Sequence, residues 1–326
     1  TDPKTTGTPG ATWASGGALN TARQQLGASG TQTAGLGFGG STGSVSALNE
    51  EYNGTSWTET TDLNTAKTNG AGTPAGTTTA ALFFGGFVTD NVATNESWNG
   101  TAWSEQNDLN TARRALGGAG TQTASLAFAG QSPPDLAVTE KFNGTSWTEV
   151  NDMNTARGSL VGAGTQTAAL GIGGAPGPAV NESWNGTSWT ELADLNTGRN
   201  ELEAAGISTA MLVFGGAPSS GTVATEFWDG TSWTELNNLS TARFSMAGIG
   251  SSTLALAGGG STGSVTAATE EWTAATITDK IINEGEVYFN TATSLIRLSK
   301  KVFGTGAWSS GGNMNTASGD GASCGT

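Results

Sequence analysis

The sequence predicts an all-β protein: six four-stranded sheets set as blades around an axis, followed by a short hairpin tail. Three observations carry this. A five-residue landmark, LNTAR or that string with one change, stands at Leu19–Arg23, Leu63–Lys67, Leu109–Arg113, Met153–Arg157, Leu195–Arg199 and Leu239–Arg243. Its threonines, from Thr21 to Thr241, are separated by 44, 46, 44, 42 and 44 residues, and a period of that size marks blades or solenoid turns. Short apolar runs between Gly, Asn, Asp and Thr turns indicate strands. No apolar period of 3.6 residues extends far enough to indicate helices.

The elements follow in order within each unit, and the third copy shows them. After Arg113 comes a strand of small residues, Ala115 to Ala119, then a polar turn, Gly120 to Thr123. Small side chains suit the crowded axis, so this is the inner strand. Leu126 and Phe128 mark the second strand, which ends at Gly130. A variable stretch leads to Glu140, Lys141 and Phe142 on the third. Asn143-Gly144 predicts a type I′ turn with both residues at positive φ. Trp147 opens the fourth strand. With its counterparts Trp57, Trp103, Trp189 and Trp233 it is expected to wedge between adjacent sheets, since one such sheet cannot cover both its faces alone.

The ends decide the blade number. Ala11–Gly17, with Trp13, precedes the first landmark at the spacing of a fourth strand. In the sixth copy Ile277 stands where the tryptophan should be. The favoured closure has Trp13 complete the sixth blade beside Leu256 and Trp272. The alternative keeps the Ile277 segment there and builds a seventh blade from later residues.

These motifs resemble the kelch-repeat family. The pattern of basic residue, double glycine, aromatic and spaced tryptophan reads as Arg23, Gly39-Gly40, Tyr52 and Trp57, then Lys67, Gly85-Gly86, Trp98 and Trp103, and so on through Gly215-Gly216, Trp228 and Trp233. The third copy has Ala129-Gly130, and the sixth keeps Gly258 to Gly260 and Trp272 before departing. The resemblance covers roughly residues 11–279 and implies a propeller; it does not imply an activity. The near-identity of copies, with Asn-Gly-Thr-Ser-Trp-Thr-Glu recurring, is also similar to repeats in bacteriophage and bacterial surface proteins. The expected domains are a propeller over 1–279 and a tail over 280–326. In the tail, 285–290 and 295–301 read as a hairpin similar to those of phage tail fibres. Gly306–Ala317 repeats the N-terminal segment, which suggests a tandem propeller in a longer chain.

Composition narrows the partners. The net charge is −14, from 13 Lys plus Arg against 27 Asp plus Glu, which disfavours nucleic acid and anionic membranes. No apolar run reaches the 18 or so residues of a membrane span. The lone Cys324 cannot form an internal disulfide, and there is no histidine. Ser-His-Asp and Cys-His nucleophiles and His-based metal sites are therefore excluded, as is the copper-oxidase chemistry found on some kelch propellers. No cofactor and no metal are expected. The Thr, Ser, Asn and Gly content fits an extracellular or virion surface.

Two carboxylates some 5–10 Å apart would serve glycoside hydrolysis. The acidic residues recur copy by copy instead: Glu50, Glu96, Glu140, Glu182, Glu226 and Glu270, each two before the aromatic. The basic residues Arg23, Lys67, Arg113, Arg157, Arg199 and Arg243 recur likewise, and both sets begin strands at one face. A structural ring of ion pairs is expected, and no lone, non-repeating carboxylate pair is legible at the pore.

The connection between second and third strands varies most: 41–48, 87–94, 131–138, 175–180, 217–224 and 261–268. Divergence confined to one loop directs binding to that face. Its least generic residues are Phe87, Asp90, Pro133, Pro134, Asp135 and Pro176. The expected function is a non-enzymatic surface, virion or adhesion protein that presents this face to a receptor, glycan or protein. The alternative is a carbohydrate-active enzyme with carboxylates on the propeller face.

Overall fold

The computed structural model describes residues 11–176, 179–217 and 220–274, and the backbone of 287–290 and 295–298. The chain divides into two compact units, Thr1–Thr276 and Ile277–Thr326.

The first unit is a β-propeller of six four-stranded antiparallel blades. Blade 1 shows the pattern: Gly27–Thr31, Ala34–Phe38, Asn49–Tyr52 and Trp57–Glu59, paired in sequence order. No helix occurs among the described residues. Blade 6 is closed by the N-terminus. Thr12–Ser15 pairs antiparallel with Thr269–Thr273, placing Trp13 opposite Trp272. The ring therefore has six blades and not seven; Ile277 lies outside the described residues.

Each outer-strand tryptophan wedges against the preceding blade. Trp103 meets Phe38 at 5.0 Å, Trp147 meets Phe84 at 4.9 Å and Trp189 meets Phe128 at 4.8 Å between ring centroids. Trp13 takes the sixth place, 4.9 Å from Phe214. Burying a large apolar side chain contributes about 1.5–3 kcal/mol, so the six wedges supply much of the inter-blade adhesion. Glutamines from the inner hairpins add clamps: Gln32 donates from Nε2 to the carbonyls of Ala255 at 3.0 Å and Trp272 at 2.6 Å.

Crowding at the axis explains the small residues there. A Cβ on Gly118 would lie 2.6 Å from the Gly72 carbonyl oxygen, and one on Gly162 would lie 2.5 Å from that of Gly118. The inner strands thus meet backbone to backbone. The double glycine is less uniform. Its second residue is glycine in every blade, but Ala129 fills the first position of blade 3 at φ 57.

One local expectation is overturned. Among the Asn-Gly pairs only the glycine has positive φ, as at Gly144, with φ 92. The strands are joined by four residues, Asn-Gly-Thr-Ser. Asn143 Oδ1 accepts from the N–H groups of Thr145 and Ser146, each at 2.9 Å. A side-chain cap has replaced the second left-handed residue that a type I′ turn would need.

In the second unit Val287–Asn290 pairs antiparallel with Leu295–Leu298. The connection 291–294 and the Gly306–Ala317 segment lie outside the described residues.

Candidate functional site

The landmark is a structural junction. In blade 1 Leu19 is buried, and Asn20 donates from Nδ2 to Trp57 O at 3.0 Å. The Asn20 N–H donates to Glu50 Oε2 at 2.7 Å, and Arg23 meets Glu50 Oε1 at 2.9 Å. Arg23 also donates to the carbonyls of Gly39 and Leu48. Equivalent pairs join Lys67–Glu96 at 3.7 Å, Arg113–Glu140 and Arg157–Glu182 at 2.5 Å, Arg199–Glu226 at 3.1 Å and Arg243–Glu270 at 2.8 Å. All are buried. Burial lowers the guanidinium pKa of Arg23, Arg113, Arg199 and Arg243, while each one's glutamate opposes that shift. These carboxylates bind the chain to itself and present no free oxygen face to a ligand.

The variable loops root beside the entrances of the inner strands. Gln24 and Ser41 exchange backbone hydrogen bonds of 3.0 and 2.8 Å, and Thr68–Phe87 and Arg114–Gln131 bridge likewise. The loops and the axial entrance therefore share one face. Asp90, Pro133, Pro134 and Pro176 are exposed there, while Phe87 and Asp135 are half-buried. Phe87 lies under the Arg114 guanidinium, 4.8 Å from its ring centroid. Asn91 Nδ2 donates to Gln131 O at 3.2 Å, so the loops of blades 2 and 3 are tied together. Residues 177–178 and 218–219 of the next two loops lie outside the described residues.

At the centre of that face sits an arrangement the sequence reading missed. Two residues past each landmark, Gln25, Asn69, Ala115, Ser159, Glu201 and Ser245 adopt φ of 50 to 57. Each N–H donates to the carbonyl of its counterpart in the preceding blade. The six bonds measure 2.8 Å (Gln25 to Ser245), 3.1, 2.7, 2.8, 2.9 and 2.9 Å, and they close a circle around the axis. Left-handed backbone is costly for non-glycine residues, and here every residue in the circle is held by both neighbours.

An axial cavity of about 80 Å³ opens at this circle, lined by its side chains and by Glu203. A second, of similar volume, continues between the inner strands and is again lined by Glu203. The unpaired edges of six inner strands face the axis, which makes the lining polar. Glu203 stands four residues past its landmark, where the other blades carry Gly27, Ala71, Gly117, Val161 and Ala247. It is reachable through the cavity yet enclosed by protein on the other sides. Burial pushes its carboxyl well above the usual carboxylate range, against the N–H groups of Gly248 and Ala204, which favour the anion. Beside it, the Ser245 hydroxyl donates to the Glu201 carboxylate. Glu201 and Glu203 are thus non-repeating carboxyl groups at the pore, which corrects the expectation that none is present. The signal was available in the alignment of the copies: a charge at a position otherwise held by small or apolar residues.

Neither a protein-family model nor a curated characterised protein matches this chain.

Proposed function

We propose that this is a non-enzymatic binding propeller of the kelch-repeat kind, carried on an extracellular or virion surface, which presents its variable-loop face to a receptor, glycan or protein of a larger assembly. The observation that carries the reading is the contrast within each blade. Landmark, ion pair and tryptophan wedge repeat on a closed frame, while the loops rooted at the axial face differ from copy to copy. A rigid scaffold with divergent loops is an arrangement suited to recognition. The motif spacing supports the kelch assignment, and the near-identity of copies supports the surface setting.

Glu201 and Glu203 give the carbohydrate-active alternative a specific observation. Room argues against it. Pockets that enclose a small-molecule ligand span about 300–1,000 Å³, whereas each axial cavity holds about 80 Å³.

The test replaces residues 87–94 and 131–138 with the 41–48 loop and compares binding to a glycan array and to intact cells. Loss of binding with unchanged melting supports the loop face. Unchanged binding moves the site elsewhere. Release of free sugar that disappears in Glu203→Gln would establish the enzymatic alternative instead.

A further inference from the structure

We propose that the axial mouth is a receptor for a single primary ammonium group, with Glu203 and Glu201 as its counter-charges and Ser245, Gln25 and Asn69 as neutral partners. The inference rests on the binding reading above and names the chemistry of its centre.

Three independent features converge. The first is position. Four past each landmark, four blades carry Gly or Ala and a fifth carries the apolar Val161; blade 5 carries a carboxyl. Enclosing a carboxyl without a cation disfavours its charged form and costs stability, so Glu203 is present despite the frame and not because of it, and a bound cation would favour its carboxylate form. The second is the missing counter-charge. The nearest landmark cations, Arg199 and Arg243, are paired with Glu226 and Glu270. No described salt bridge involves Glu201 or Glu203. The third is the cavity. At about 80 Å³ it exceeds the roughly 10–15 Å³ that one water needs, so it admits an ammonium head together with several waters.

Among cations, the donor set selects the ammonium. Calcium takes 6–8 oxygen ligands, typically several of them carboxylate. No group of three or more metal-ligating Asp, Glu, His or Cys side chains occurs among the described residues. An ammonium has three N–H donors, which one carboxylate and two neutral acceptors satisfy. Ser245, Gln25 and Asn69 line the mouth; Ser245 Oγ donates to Glu201 and Gln25 Oε1 accepts from Thr68 Oγ1 at 3.2 Å, and each oxygen retains a lone pair for a further donor. A lysine of a protein partner or a free alkylamine would bring the same group.

The experiment titrates the full chain with n-butylammonium chloride and follows the backbone amides of Gly248 and Ala204 by NMR. Tetramethylammonium chloride at matched ionic strength is the control, because it carries the charge without donors. Saturable shifts with butylammonium alone are expected, weakened at least about tenfold in Glu203→Ala. That variant restores the residue found at Ala71 and Ala247, so it should fold and melt no lower than the parent; Glu203→Gln provides a second variant of the same shape. Equal responses to the two ammonium salts, or full binding by both variants, would overturn the proposal. Preferential saturation by calcium chloride would overturn it in favour of a metal site. The loop-grafted protein should keep the butylammonium response, so failure of the loop reading and failure of this one are distinguishable.

Discussion

Lys67 should make the protein more stable as pH rises from 8 to 10. Every other landmark ends in arginine. The lysine ammonium, fully buried, lies 3.7 Å from Glu96 Oε1, where the arginines reach their glutamates at 2.5–3.1 Å. Its other partners are the carbonyls of Phe83 at 3.0 Å and Thr94 at 3.1 Å. Burial lowers its pKa from 10.5 to about 8, while Glu96, Glu105 and Asp108 oppose the shift. The sign follows from comparing the two states. Below pH 8 both the folded and the unfolded chain carry the proton, and the fold bears the cost of enclosing a cation. Between about 8 and 10.5 the folded lysine sheds its proton and the unfolded one keeps it, so stability climbs. At about 1.4 kcal/mol per pH unit of separation, the full gain is roughly 3–4 kcal/mol. Above pH 10 the Tyr52 phenol works the other way. Desolvation and then its bond to Glu271 raise its pKa to about 12, so the unfolded phenol ionises first and stability falls. Guanidinium denaturation at pH 7, 8, 9 and 10 on the parent and on Lys67→Arg isolates the lysine, because arginine keeps its charge throughout. The gap between the two curves should close or reverse as pH rises. Parallel curves across the window would show that Lys67 titrates as a solvated amine and that the reasoning fails.

Other expectations follow from the same packing. Trp147→Ala should lower stability by about 3–5 kcal/mol, the usual loss for a buried tryptophan; an unchanged melting temperature would mean that the wedge is not buried. Trp147 Nε1 lacks an acceptor and Asn95 Oδ1 lacks a donor, whereas Trp189 donates to Thr139 Oγ1 at 3.0 Å in the preceding blade. Asn95→Thr should therefore raise stability by about 1 kcal/mol, and a lower melting temperature would contradict the analogy. Gly118→Ala should cost about 1–3 kcal/mol by overpacking the axis, since its Cβ would fall 2.6 Å from Gly72 O; a neutral result in thermal melting would show that the inner strands have room to separate.

Much of the fold was legible because one packing problem is solved six times. Each Leu19-like residue, each Arg–Glu pair and each tryptophan wedge repeats at a fixed spacing, so one copy's chemistry could be checked against the others. Ring closure was legible for the same reason: Trp13 had the residue type and offset of a fourth strand, and the sixth copy had Ile277 where its own tryptophan should stand. Turn geometry was less so. Asn-Gly looks the same whether both residues turn left-handed or the asparagine side chain caps the loop, and only the length of the connection decides. The circle of six left-handed residues left no trace, since Gln, Asn, Ala, Ser and Glu share no local preference that would announce it. Their conformation is imposed by neighbouring blades.

The axial site was hidden by the very repeat that revealed the frame. Sorting acidic residues by their distance from the aromatic collects Glu50, Glu96, Glu140, Glu182, Glu226 and Glu270 and leaves Glu201 and Glu203 unclassified. What separates them is the cost of the departure. An exposed loop can vary without energetic penalty, so variation at Pro133 or Pro176 carries weak information by itself. Lys67 departs inside the frame but retains its glutamate, and its charge remains answered. Glu203 departs inside the frame, introduces an ionisable carboxyl where the other copies have none, and forms none of the described salt bridges. In a protein built from repeats, a single-copy substitution that opposes folding is the most informative kind of difference. By that criterion Glu203 sets the axis of the loop face apart from the repeating frame, beside the divergent loops that carry the proposed binding.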